Sequence, residues 1–525
     1  MRMKNHYSPP FHRFFSSSPP PRANLRIATP DPDFNVHPRI YTSGRWLSRN
    51  HLEIDARYVR FDFGALCRRV LTLCLDASTI ASCRKIEGGF NRVFVFTLDN
   101  GKNLVARLPF RVAGPESLTT ASEVATVRYL QAKTKIPIPN VLDWNDAKDS
   151  NNAIGSEYII MEHAAGVPLC EAWHNMAGDQ QVRCIDAIYR SVKEMVELEF
   201  SAFGSIYFDS TPGVGSKHPL GGGFCIGPHC GTQYWDREDK RVQRNHGPWQ
   251  DIGEYSDGLI DAGLARIPVV DAHAESGKRQ IYHGSTESHR SLLERARPVL
   301  KQMSQDPRIR DSAAPLLFHP DLHMRNIFVS KDSPSTITGI IDWQAASIEP
   351  AFWYSDEVPD FATRDEINNK AFEYTSQFLT PKLSAPRLMN DNLFRPFRYT
   401  PRTWKDGAAA FRHELIETAR LWKELGFEGR CPYPLPTVEE LANHQKEYRL
   451  SKAAHGLRTD LARLLGVATD GWAPADRDWE EIEREHRELF DGMLQAVLTN
   501  PDLDEDEPVR DEMTLRAIWP FDIDW

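Results

Sequence analysis

Residues 317–350 read LFHPDLHMRNIFVSKDSPSTITGIIDWQAASIEP. Within them His319, Asp321 and Asn326 make the spacing H-x-D-x-x-x-x-N. A short apolar run follows at 326–329, then a polar turn, then a second β-type run at 337–342 that ends on Asp342. Asp321 supplies an anion on a short, rigid side chain, as a proton acceptor requires. Asn326 and Asp342 supply hard oxygen donors of the kind a divalent cation selects, and Asn does so without adding charge. Singly, each has an ordinary reading: Asp321 as a cap or turn residue, Asp342 as a strand-end Asx-turn. The loop, the two strands and the terminal aspartate together point to a site.

That spacing is the catalytic loop of phosphoryl-transfer enzymes of the protein-kinase type, where the carboxylate meets the acceptor hydroxyl and the amide oxygen faces Mg²⁺. Asp321 is then the candidate base, with Asn326 and Asp342 as candidate metal ligands. His319 is expected to orient the loop backbone, with His323 as a partly exposed neighbour. Upstream, Gly88-Gly89-Phe90-Asn91 forms a glycine-rich turn through which backbone can approach phosphates. It is not a G-x-G-x-x-G, and no G-x-x-x-x-G-K-[ST] occurs, which argues against a P-loop NTPase. Arg107 is the one charge in the run VARLP and can reach nucleotide phosphates, or face solvent. Arg in place of Lys keeps the charge but is bulkier and forked. Glu123 reads as the anion that positions Arg107, or as the fourth residue of a capping box begun by Thr120.

Working outward, residues 90–98 read FNRVFVFTL, Asp99-Asn100-Gly101 supplies a turn, and 104–108 returns, a strong hairpin signal. A helix with apolar Val124, Val127 and Leu130 is expected over 121–133, and a strand over 157–161. Helical periodicity then dominates near 180–199, 413–425, 437–465 and 479–498. The expected class is α+β: a leader at 1–40, a sheet-plus-helix lobe at 41–162, and a larger, mainly helical lobe at 163–525 with a β-hairpin embedded in it.

The 525 residues allow two to four domains. Lys plus Arg number 63 against 73 Asp plus Glu, a net charge of −10 that disfavours a dedicated nucleic-acid binder. No apolar run reaches the ~18–20 residues of a membrane span. Eight scattered cysteines with no C-x-x-C pair argue for a reducing compartment. His218, Cys225, His229 and Cys230 cluster around glycines, but their spacing matches no common zinc framework. Residues 1–30 hold no acid and carry Arg2, Lys4, Arg13, Arg22 and Arg26 with a serine run at 16–18. This is the composition of a mitochondrial presequence, with a disordered basic tail in the cytoplasm as the alternative.

The pieces EGGFNRVFVFTLDNG, ARLPF, ASEVATVRYL, EYIIMEHAAGVPL, FHPDLHMRNIFV and ITGIIDWQ resemble a fungal mitochondrial group within the aminoglycoside phosphotransferase family, over nearly all of 41–522. The resemblance implies a protein-kinase-like two-lobe fold, ATP and Mg²⁺ as cofactors, and a mitochondrial location. By position it makes Asp321 the base and Asn326 and Asp342 the metal ligands. Arg107 becomes the phosphate clamp supported by Glu123, and 161–164, with Met161 and His163, the hinge facing adenine. One departure stands out: Arg325 sits where the wider family has a small residue.

Two functions follow. The first is an ATP-dependent phosphotransferase acting on a small-molecule hydroxyl, with Trp235, Asp236, Trp249 and Asp251 as candidate acceptor contacts. The second is a weakly active or inactive kinase-like scaffold. Intact Asp321, Asn326 and Asp342 favour the first; Arg107 and Arg325 keep the second open.

Overall fold

Phe94, Phe96 and Leu98 alternate with half-exposed Val93, Val95 and Thr97, so one face of this strand is buried and the other is not. Around it the computed structural model builds the first lobe. Residues 34–146, 151–235, 245–268, 282–499 and 507–523 are described, and the basic leader and Asp236 lie outside them. The described chain starts with β1 (Gly44–Trp46), α1 (Asn50–Ala56) and α2 (Phe63–Thr72). There follow β2 (Ile80–Glu87), β3 (Asn91–Leu98), β4 (Asn103–Pro109), α3 (Leu118–Lys133), β5 (Val141–Asn145) and β6 (Tyr158–Glu162). Five strands form an antiparallel sheet in the order β2-β3-β4-β6-β5. Gly101, at φ 79°, closes the β3–β4 turn, and the register sets Val93 opposite Arg107.

Each face of the sheet has its own cover. Phe94, Phe96, Ala106 and Ile160 pack with Phe61, Phe63 and Leu66, so α2 and the segment before it close one side. Ile159 and Val141 turn the other way and join Val124, Val127 and Leu130 of α3 in the core shared with the second lobe. The expected hairpin and strand are present, but the sheet is larger than expected. β2 and β5 escaped notice because both are irregular and rich in polar residues (IASCRKIE, VLDWN).

The second lobe begins with β7 (Val167–Pro168), α4 (Leu169–Ala172), α5 (Gly178–Val196), β8 (Ser205–Phe208), β9 (His218–Gly221), β10 (Phe224–Gly227), α6 (Ile252–Ala265), α7 (Thr286–Met303) and α8 (Pro307–Asp311). Then come β11 (Pro315–Phe318), β12 (Ile327–Val329), β13 (Ile337–Ile340), β14 (Ser347–Pro350) and α9 (Glu366–Leu379). β11 pairs with β14, and β12 pairs with both β13 and β7. These two small sheets hold the 319–326 loop between them. Between the lobes, Gly166 has φ 90°, and a Cβ there would sit 2.1 Å from the Val329 carbonyl oxygen, so only glycine fits.

β15 (Trp472–Pro474) pairs antiparallel with β1, and Leu47 packs with Leu461, Leu465, Ile482 and Trp519. The late helices Val438–Leu465, Trp479–Thr499 and Glu512–Ile518 thereby close over the early segment. Among the described residues no helix is long and apolar enough to cross a membrane.

Candidate functional site

Asp321 begins the loop between β11 and β12, and its carboxylate is ringed by donors. Asn326 Nδ2 donates to Oδ2 and to the Asp321 carbonyl, both at 2.9 Å. Arg325 Nη2 lies 2.6 and 2.8 Å from the two carboxylate oxygens, and His323 Nε2 lies 3.2 Å from Oδ1. His323 also reaches Asp360 at 3.5 Å, and that carboxylate raises its pKa above the usual imidazole value.

His319 is a strut. Its Nδ1 accepts from the Asp321 backbone N–H at 3.1 Å, and its Nε2 donates to the Ile341 carbonyl at 2.8 Å. One nitrogen accepting and the other donating defines the neutral ring, and burial lowers its pKa accordingly. The ring ties the backbone of Asp321 to the residue before Asp342. The Ile341 N–H donates to the Asn326 carbonyl at 2.9 Å, which brings the two candidate metal ligands onto adjacent, bonded stretches of chain.

Asp342 follows β13 with φ 68°, a left-handed conformation that Asp tolerates better than most side chains. Its Oδ1 lies 2.9 Å from Arg107 Nη2, a buried contact without a well-directed hydrogen bond. Arg107 Nη1 pairs with Glu123 on α3. Arg107 thus bridges a helix of the first lobe to a candidate metal ligand of the second. Burial raises the pKa of Glu123 to about 7, with Asp342 adding to the rise and Arg107 opposing it. The helix starts at Leu118 after Ser117, and Thr120 Oγ1 is bound to Glu157 at 2.5 Å. Glu123 therefore lies beyond the cap, and the capping-box alternative is ruled out.

Asn91 opens β3 and exchanges amide hydrogen bonds of 2.9 and 3.1 Å with Gln344. Turning both amides keeps those bonds and lets Asn91 Oδ1 accept from Arg107 Nη2 at 2.9 Å. Asn91, Arg107, Glu123, Asp342 and Gln344 therefore form one interlobe cluster. Gln344 had no signal in the sequence beyond its position two residues past Asp342.

Gly88 and Gly89 make the β2–β3 turn, and a Cβ on either would meet nothing within 4 Å, so the turn borders open space. Met161 lies in β6 opposite Val105 and Val141. His163 follows the strand, with Nδ1 2.8 Å from the Ala164 carbonyl oxygen and its ring edge-on to Phe328.

The suggested acceptor contacts are placed elsewhere by packing. Trp249 is buried among Tyr234, Tyr255 and Phe203, and Asp251 caps α6 by accepting from Gly253 and Glu254 N–H at 2.8 and 2.9 Å. Trp235 stacks on His246 and donates to the His229 carbonyl. The His/Cys cluster is likewise occupied. His229 Nε2 donates to Glu349 at 2.6 Å while its Nδ1 accepts from Gly231 N–H, and Cys230 Sγ lies 2.9 Å from Tyr207 OH. Glu349 also accepts from Tyr255 OH at 2.6 Å and Ser347 Oγ at 3.0 Å. This buried carboxylate was missed, although a lone acid inside the apolar run of β14 calls for such donors.

A carboxylate over an amide-bearing loop, a second aspartate at a strand end, and a buried Arg107–Glu123 pair whose cation also reaches Asp342 make a kinase-like arrangement. The profile of the phosphotransferase enzyme family matches residues 231–353 of the chain. A subtelomeric hrmA-associated cluster protein of Aspergillus fumigatus is 31% identical over 337 residues, 58% of this chain and 64% of the relative. The aligned part therefore spans less than two thirds of that relative's length. Altered inheritance of mitochondria protein 9, mitochondrial, of Meyerozyma guilliermondii is 24% identical over 555 aligned residues, 83% of this chain and 86% of the relative. Among solved structures, a ternary complex of an aminoglycoside phosphotransferase with streptomycin and ATP is 14% identical, covering 68% of this chain and 97% of that one at a TM-score of 0.37.

Proposed function

We propose that the chain is an ATP-dependent phosphotransferase that moves the γ-phosphate to a hydroxyl of a small molecule. The observation that carries this reading is the Asp321 carboxylate, fixed by Asn326 and the His319 strut beside an Asp342–Arg107–Glu123 bridge. Asp321 takes the proton of the acceptor hydroxyl. The acceptor oxygen bonds to the γ-phosphorus, the bond to the β,γ-bridging oxygen breaks, and ADP leaves with that electron pair. Arg107 holds the phosphates, and Glu123 keeps the guanidinium in place.

The donor set fits Mg²⁺. Asn326 spends its amide nitrogen on Asp321, which leaves its oxygen as a donor, and Asp342 supplies a carboxylate with a poorly satisfied buried oxygen. When bound there, Mg²⁺ neutralises charge on the β- and γ-phosphates. The turn at Gly88 and Gly89 then covers the phosphates, and 161–164 faces the base.

The mitochondrial name of the Meyerozyma relative and the acid-free basic leader support placement in the mitochondrion. The test of that placement is whether a chain lacking residues 1–30 still enters the organelle; entry would exclude the leader as the signal.

One observation favours the scaffold reading: both terminal nitrogens of Arg107 are engaged by carboxylates rather than presented to a ligand. Calorimetry with Mg·ATP separates the two. A phosphotransferase binds it, and at about a hundred times Kd gains roughly 2.7 kcal/mol of stability. Asp321→Asn should retain that binding and lose ADP release across a library of hydroxyl compounds. No affinity for Mg·ATP would overturn the proposal.

A further inference from the structure

The arginine before Asn326 is bound in an unusual way. Arg325 uses a single nitrogen, Nη2, for both oxygens of Asp321, and its Nε and Nη1 make no hydrogen bond with any described residue. The side chain is 62% exposed, against 29% for the Asp321 carboxylate. Asn326 approaches that carboxylate from the buried side, so Arg325 occupies the more open approach. An acceptor hydroxyl arriving at Asp321 therefore meets a guanidinium with unused N–H donors beside the reacting atom. Such donors match a carboxylate or phosphate, which Arg binds by charge-assisted hydrogen bonds.

We propose that Arg325 selects the acceptor: it holds an oxyanion, carboxylate or phosphate, carried by the acceptor near the hydroxyl that Asp321 deprotonates. This rests on the phosphotransferase reading and narrows it to anionic hydroxyl compounds. Arg325 can keep Nη2 on Asp321 while Nη1 donates to one oxygen of the oxyanion, so base and acceptor are held by one cation. A neutral polyol leaves those donors in water, and a cationic acceptor meets a like charge at the base.

The test uses the full chain and Mg·ATP with matched sets of neutral, carboxylate and phosphate acceptors. Glycerol, glycerate and glycerol 3-phosphate form one set; glucose, gluconate and glucose 6-phosphate form another. ADP release gives kcat/KM for each, and the two anionic members distinguish carboxylate from phosphate. The expected result is at least a tenfold preference for an anionic member over its neutral partner. That ratio should fall by about 10- to 100-fold in Arg325→Gln, as the loss of a charge-assisted bond predicts, and recover in part in Arg325→Lys. A preference for neutral acceptors overturns the proposal, as does an unchanged ratio in Arg325→Gln. An equal loss for every acceptor and for ATP hydrolysis also overturns it, because Arg325 would then serve the γ-phosphate. If nothing turns over but Mg·ATP binds, the same sets are titrated onto protein saturated with a non-hydrolysable ATP analogue. An absent anion preference in Kd then rejects the proposal. Loss of Mg·ATP affinity in the unmodified chain would instead strike the phosphotransferase reading itself.

Discussion

Replacing Arg107 with Met removes the cation that bridges Glu123 and Asp342. The side chains of Arg107 and Glu123 are 9% and 3% exposed, so the pair is screened from water. Breaking a buried pair by deleting one partner costs about 3–5 kcal/mol, because the remaining charge is left uncompensated. Here the cost depends on pH. The pKa of Glu123 stands at about 7 in the folded chain, above its ordinary value of 4.5. Between those values the folded state holds a proton that the unfolded chain has released, so this group's contribution to stability falls as pH rises through that window. Below 4.5 both states are protonated and the slope vanishes. Without Arg107 the folded pKa climbs further, the window extends upward, and Glu123 escapes its penalty at low pH by staying neutral. Arg107→Met should therefore lose about 3–5 kcal/mol at pH 8.5 and markedly less at pH 5.5. Urea denaturation of the variant and the unmodified chain at both pH values measures this, and the difference cancels the other titrating groups. Equal losses at the two pH values, or a loss under about 1 kcal/mol at pH 8.5, would refute the argument.

Asp342→Asn should keep the fold, since Arg107 retains Glu123, but reduce Mg·ATP affinity at least tenfold by calorimetry; unchanged affinity would remove Asp342 from the metal site. His319→Ala strands the Asp321 N–H and the Ile341 carbonyl and should cost about 1–3 kcal/mol in chemical denaturation. Gly166→Ala forces a Cβ into the Val329 carbonyl at a positive φ and should destabilise by more than about 1 kcal/mol, read as a lower urea midpoint. Tyr255→Phe removes one of three donors to buried Glu349 and should cost about 1–3 kcal/mol, where a neutral result would mean that water replaces the hydroxyl.

Short-range pattern explains what could be read ahead of the structure. The β3–β4 hairpin shows in the alternation of Phe94, Phe96 and Leu98 and in the Asn-Gly turn. The 319–326 loop shows because its residues are fixed by spacing within eight positions. The bridge from Arg107 to Glu123 was legible as charges in apolar surroundings on neighbouring elements. Contacts made at long range were not legible. Gln344 meets Asn91 across 253 residues, and His229 meets Glu349 across 120. Trp249 and Asp251 stood as candidate acceptor contacts because composition carries no information on which loop is folded inward. Arg325 was seen as a departure, but not that its guanidinium would lie on the base, since an i,i+4 contact depends on the turn between them.

The pairing of β1 with β15 also sets a timetable for synthesis. Roughly 430 residues separate the two strands in sequence. At about 5–20 residues per second, β1 waits some 20–85 s on the ribosome before its partner is made. Through that interval the β1 edge stays open and Leu47 lacks its late partners Leu461, Leu465 and Ile482. The β1 edge and the Leu47 cluster therefore close only once β15 and the late helices have been made. Until then that flank of the first lobe is open to chaperones, and the arrival of β15 is what seals it.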